Sequence, residues 1–166
     1  MKSLILLIFI QFNLYAGIII PPVDEVTQVN AQSVEDVVYP HKKYNLLVWN
    51  IYKQNKDDFY RDELFLKKYD FLLLQEIAQT ERFEILMKSF FADYLFATSF
   101  IDDGIPTGVG IVSRVGFDSI DFVRSKVREP VIKTPKMAAI TKHRIHKSNR
   151  KLMLISLHGI NFVRLW

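Results

Sequence analysis

The 166-residue chain contains no cysteine. That removes disulfides, thiolate metal sites and cysteine nucleophiles from consideration. Any metal ion it holds must be taken by oxygen or imidazole ligands, a donor set that favours hard ions such as magnesium. Six glycines and six prolines are too few for a fibrous or low-complexity protein. Acidic residues are scarce in one part only: residues 121–166 carry 2 Asp/Glu against 11 Lys/Arg, whereas residues 1–120 carry 16 against 11. The net charge of +4 conceals this asymmetry. A basic C-terminal part could face a polyanion such as nucleic acid or a phosphorylated headgroup. The alternative is a solvated hairpin around His143-Arg144-Ile145-His146-Lys147-Ser148-Asn149-Arg150-Lys151.

What is present argues for one globular domain. A hydrophobic content of 49% with 13% aromatics excludes disorder and supplies a sizeable core. The N-terminus reads as a targeting segment: Lys2, an apolar run from Leu4 to Ile10, then the small pair Ala16-Gly17. Uncleaved, Leu4 to Ile20 would be interrupted only by Gln11 and Asn13, at the short limit of a membrane anchor. Residues 1–20 are therefore expected to be a signal peptide or an N-terminal anchor, placing the body outside the cytoplasm, in the periplasm or beyond. Pro21-Pro22 and the polar stretch after it read as a linker over 21–43, with the domain proper over 44–166.

Within that domain the pattern alternates. Asn45 to Tyr52 is an apolar run of strand length, Asp57 to Lys68 has helical spacing, and Tyr69 to Leu74 suits a strand buried on both faces. Thr80 to Phe91 reads as a helix capped by Thr80. Short strands are predicted near 94–98, 108–113, 119–123, 137–143 and 152–158. The order predicts a mixed α/β (α+β) sandwich.

Three polar residues each end an apolar strand, where a side chain is held rigidly yet reaches a cleft. Asn50 ends Leu46-Leu47-Val48-Trp49-Asn50; it either caps a turn or serves a site. Glu76 follows Leu72-Leu73-Leu74-Gln75. A carboxylate there is costly to desolvate unless a cation or donor meets it, and magnesium would do so. The other reading starts a helix at Glu76 and uses its dipole. His158 ends Leu152-Met153-Leu154-Ile155-Ser156-Leu157, as a structural histidine or as an acid, base or phosphate contact.

Taken in order, Trp49-Asn50-Ile51, Leu73-Leu74-Gln75-Glu76, Gly108-Val109-Gly110-Ile111-Val112-Ser113-Arg114 and Leu157-His158-Gly159-Ile160-Asn161-Phe162 resemble the endonuclease/exonuclease/phosphatase superfamily, which includes deoxyribonuclease I. Arg128-Glu129-Pro130 with Thr134-Pro135-Lys136 resembles an uncharacterised bacterial subgroup of it. The resemblance covers about Tyr44 to Phe162. It implies a four-layer αββα sandwich and hydrolysis of a phosphate ester, with Mg2+ or Mn2+ neutralising phosphate charge. It implies that Glu76 and Asn50 stand at the metal and that His158 meets the scissile phosphate or assists proton transfer. Lys136 and Arg114 are candidate phosphate contacts, with packing or a cleft-rim position as the other reading.

The family's later Asp-x-Asn motif and C-terminal Asp-His pair have no counterpart, because no Asp follows Asp121. The resemblance therefore implies the front half of such a domain, truncated. In complete form it is expected to be a phosphodiesterase or nuclease, with this chain inactive and its apolar sheet edges and faces exposed. The alternative is a non-catalytic binding protein of the same fold. Expected partners are a phosphate-ester substrate, nucleic acid among the choices, and a membrane through residues 4–20.

Overall fold

The computed structural model describes residues 17–31, 33, 35–55, 58–61, 63–89, 92–129 and 133–159. Most of the targeting segment expected over 1–20 lies outside the described residues, as do residues 160–162 of the last motif. Among the described residues no helix is long and apolar enough to cross a membrane.

In chain order the strands are β1 (Thr27–Asn30), β2 (Leu46–Asn50), β3 (Phe71–Ala78), β4 (Asp93–Asp102), β5 (Ile105–Ser113), β6 (Ser119–Arg128), β7 (Pro135–Arg144) and β8 (Lys151–Leu157). The helices are α1 (Asp58–Arg61), α2 (Glu63–Leu66) and α3 (Glu81–Lys88). The strands form two sheets, one of five in the order β1-β4-β5-β3-β2 and one of three in the order β6-β7-β8. Among the named strands β2 and β3 pair in parallel; their connection passes through α1 and α2, and short connections suffice for the antiparallel pairs β4-β5 and β7-β8.

The five-stranded sheet is apolar on both faces because it is covered on both. On one face Leu72, Leu74, Tyr94, Phe96 and Val112 pack with Phe59, Leu66, Phe83 and Met87 from the helices. On the other, Phe71, Leu73, Leu95, Ala97, Val109 and Ile111 meet Met137, Ala139, Phe122, Leu152 and Leu154 of the second sheet. This gives three layers among the described residues: helices, five strands, three strands. Burying one such side chain as fully as Phe83 contributes about 2–3 kcal/mol. The outer face of the second sheet carries Val123, Ile140, Met153, Ile155 and Leu157, of which Val123, Met153, Ile155 and Leu157 are exposed.

The predicted elements are found with shifted ends. Thr80 caps α3 as expected, its hydroxyl oxygen accepting the Phe83 N–H at 3.2 Å. Of the helix expected over Asp57–Lys68, the described residues show α1 and α2 in helical conformation. Residues 21–43 do more than connect. Thr27–Asn30 adds an edge strand to β4, with Val26 and Val38 buried beside it. β4 and β5 approach closely at Gly108, where a Cβ would fall 2.0 Å from the Ala97 carbonyl oxygen.

Candidate active site

Since β2 runs parallel to β3 with Asn50 opposite Gln75, the two strands finish at the same edge of the sheet. Up to Leu74 the side chains of β3 alternate: Phe71 and Leu73 face the second sheet, Leu72 and Leu74 face the helices. Continued, that alternation would send the Glu76 carboxylate into the helix-side core. A β-bulge prevents it. The ladder to β5 skips from Leu74↔Gly110 to Ile77↔Gly108, and Glu76 takes a left-handed φ of 51°. Ile77 regains the helix side, while Gln75 and Glu76 both reach the second sheet. Glu76 thus belongs to a strand, and the helix that could have started there begins at Glu81.

β8 brings the third residue. Ser156 is fully buried; its Oγ donates to the Leu74 carbonyl at 2.9 Å and accepts from Gln75 Nε2 at 3.2 Å. This pin between the sheets lies two residues before His158, whose backbone N–H donates to the Met137 carbonyl at 3.2 Å. His158 Nε2 then lies 3.2 Å from Glu76 Oε1. The same oxygen accepts from Asn50 Nδ2 at 2.8 Å. Asn50 Oδ1 is occupied by the Tyr52 N–H at 3.1 Å, which fixes the amide orientation. Asn50, Glu76 and His158, predicted from three separate strand ends, therefore meet around one carboxylate oxygen. The Glu76 and His158 side chains retain 23% and 21% exposure, so the cluster is desolvated yet reachable.

A cavity of about 200 Å3 opens beside it, lined by Lys53, Thr107, Glu129 and Lys136 together with Glu76 and His158. Lys136 Nζ pairs with Glu129 Oε1 at 2.5 Å, the two side chains only 10% and 11% exposed, and Thr134 Oγ1 donates to Glu129 Oε2 at 3.0 Å. Burial alone would raise the Glu129 carboxyl. The Lys136 and Thr134 hydrogen bonds outweigh it and hold Glu129 below its ordinary value. Burial, reinforced by the Lys136 charge, pushes the His158 imidazole below its ordinary value, against the opposing pull of Glu76 and Glu129. A neutral ring carries its hydrogen on one nitrogen and leaves the other as an acceptor.

Lys136 thus lies at the cavity, as a phosphate contact would require, but already paired. Arg114 does not join the cluster. It follows β5, whose end pairs Ser113 with Phe71 at the opposite end of β3 from Glu76. There its guanidinium donates to the Lys67 carbonyl and its N–H to the Asp70 carbonyl, which is the packing reading. Sequence reasoning named neither Lys53, Glu129 nor Ser156 as part of a site. Ser156 had a signal, a lone hydroxyl in the apolar run Leu154-Ile155-Ser156-Leu157; Lys53 had none.

Magnesium needs oxygen ligands and commonly takes one or two carboxylates with several waters. Among the described residues no group of three or more His, Asp or Glu converges to hold a metal. Glu76 fits as a single carboxylate ligand. Asn50 fits as the residue that orients it, because its amide oxygen is already committed to Tyr52.

The chain is similar to three proteins designated UPF0294. With that of Vibrio parahaemolyticus it shares 29% identity over 150 residues, 82% of this chain and 52% of the relative. With that of Vibrio campbellii it shares 30% over 121 residues, 71% of this chain and 41% of the relative. With that of Klebsiella pneumoniae it shares 29% over 128 residues, 73% and 45% respectively. No family model matches the chain, and no solved structure does. The chain spans about half the length of the curated relatives it matches.

Proposed function

We propose that the complete protein is a divalent-metal-dependent phosphoric ester hydrolase of the phosphodiesterase or endonuclease type, built on a four-layer sandwich like that of deoxyribonuclease I and working outside the cytoplasm. The observation that carries this reading is the convergence of Asn50 and His158 on one oxygen of Glu76 at a shared sheet edge. Three strand ends far apart in sequence meet there, beside a cavity bearing two lysines.

In this reading Glu76 would hold Mg2+ or Mn2+, which when bound neutralises phosphate charge and polarises the ester. Asn50 keeps the carboxylate in one orientation through its 2.8 Å hydrogen bond. His158, neutral near physiological pH because of its burial, offers Nδ1 as a proton acceptor or Nε2–H as a phosphate donor. The substrate would be a phosphate ester, with DNA, RNA, phospholipid and inositol phosphate as the candidate classes.

A second reading draws on the single carboxylate. With no three-ligand group among the described residues, this chain by itself is proposed to be inactive, a non-catalytic or binding form of the same fold. One assay addresses both. Hydrolysis of plasmid DNA and of a chromogenic phosphodiester is measured for this chain and for the full-length Vibrio parahaemolyticus relative, with magnesium, manganese or chelator. Metal-dependent hydrolysis by the relative and background rates for this chain are expected. A relative inert on both substrates with either metal would sink the hydrolase reading. Activity in this chain that disappears in Glu76→Ala would sink the inactivity.

A further inference from the structure

The residue after the β2 motif that sequence reasoning passed over is Lys53, and its backbone is unusual. Tyr52, Lys53 and Gln54 carry φ values of 50°, 54° and 54° in succession, a left-handed turn that side chains with a Cβ rarely adopt. Such conformations persist only where the surroundings enforce them, and they gather at functional sites. Here β3 enforces it from both ends: the Ile51 N–H donates to the Gln75 carbonyl at 3.0 Å, and Gln54 Oε1 accepts the Ala78 N–H at 3.0 Å. Within the turn Gln54 N–H reaches Ile51 O at 2.8 Å and Asn55 N–H reaches Tyr52 O at 3.0 Å. The strand that carries Glu76 thereby fixes where Lys53 emerges, at the wall of the same cavity.

The two lysines of that cavity are held very differently. Lys136 is locked on Glu129 in a pair about one-tenth exposed, with Thr134 bracing the carboxylate. Withdrawing it would leave Glu129 buried and unpaired, a costly state. Lys53 Nζ rests on Asp102 Oδ2 at 2.8 Å with the Phe100 ring 5.3 Å away, and both partners are more than a third exposed. Exposed pairs of this kind hold weakly, and a lysine is a compact point charge that suits phosphate.

We propose that Lys53 is the anion contact of this site: it exchanges Asp102 for a phosphate group in the cavity beside Glu76 and His158, while Lys136 stays on Glu129. The proposal rests on the phosphate-ester reading above and assigns its phosphate-binding cation.

The test titrates inorganic phosphate into the full chain at constant ionic strength. The Lys53 and His158 side-chain resonances are followed by NMR, with Lys53→Gln, Lys53→Arg and Asp102→Asn in parallel and chloride as the control anion. Lys53→Gln should weaken phosphate binding on the order of tenfold, the size of one charge-assisted hydrogen bond. Lys53→Arg should retain it. Asp102→Asn, by releasing the lysine, should tighten it several-fold, a response an incidental surface lysine would not give. Phosphate that shifts His158 equally well in Lys53→Gln overturns the role of Lys53 and leaves the phosphate site standing. Phosphate that moves neither resonance in the wild type also overturns it, and the hydrolysis assay then judges the enzyme reading on its own.

Discussion

The bulge at Glu76 makes a prediction whose sign is unusual. Glu76→Ala and Glu76→Gly both delete the carboxylate and its contacts to Asn50 and His158, so those losses cancel in the comparison. In an ordinary strand position glycine is less stable than alanine by about 0.5–1 kcal/mol, through backbone entropy. At φ 51° alanine carries a left-handed penalty of roughly 1–2 kcal/mol that glycine avoids. The balance inverts: Glu76→Gly should be more stable than Glu76→Ala by about 0.5–1 kcal/mol. Ala78, two residues on and free of positive φ, is the internal control, where Ala78→Gly should destabilise. Urea unfolding of the three variants, with a common denaturant slope, measures both differences. If glycine at 76 proves worse than alanine, by the margin found at 78, then no strained bulge aims Glu76 and the account of the site fails.

The pH dependence and the exposed sheet face give further expectations. His158 and His143 are both held below their ordinary value of 6.5, by burial first in each case. The unfolded chain therefore binds more protons below pH 6.5, so stability is complete above that value and declines as pH falls from it towards the depressed folded values. The urea midpoint should rise with pH through this window, and His158→Gln should flatten part of the slope; an unchanged slope would remove His158 from the explanation. On the second sheet, Val123, Met153, Ile155 and Leu157 form an exposed apolar face, and faces of this kind favour association. The isolated chain should bind anilinonaphthalene sulfonate and scatter light increasingly with concentration. Ile155→Lys with Leu157→Lys should reduce both signals, and a wild-type chain silent in both assays would contradict the exposed face.

Much of the fold was legible because strand burial leaves a blunt signal. Leu72-Leu73-Leu74 and Leu95-Phe96-Ala97 are continuous apolar runs since both faces of the first sheet are covered. Ends were harder to read. β3 continues to Ala78 because its ladder with β5 resumes after the bulge, something composition after Leu74 does not announce. β1 went unseen inside the expected linker. It is a four-residue polar edge strand, and its two anchors, Val26 and Val38, are twelve residues apart with no period between them. The helical spacing over Asp57–Lys68 was legible, because Phe59 of α1 and Leu66 of α2 are both buried on the helix side.

For the site, identity was legible and arrangement was not. A glutamate after four apolar or amide side chains needs a partner, either a cation or a hydrogen-bond donor. The structure meets that cost with the Asn50 amide, which donates to Oε1, and with the His158 ring 3.2 Å from the same oxygen. A metal here gains one oxygen and waters, not a prepared cage, so its binding to this chain should be weak and strengthened by a phosphate that supplies further oxygens. What no pattern could show is that the backbone must break step at one residue to bring this carboxylate to His158. Had β3 kept its alternation, the same sequence motif would have buried Glu76 against Phe83 and Phe96, where neither Asn50 nor His158 could follow.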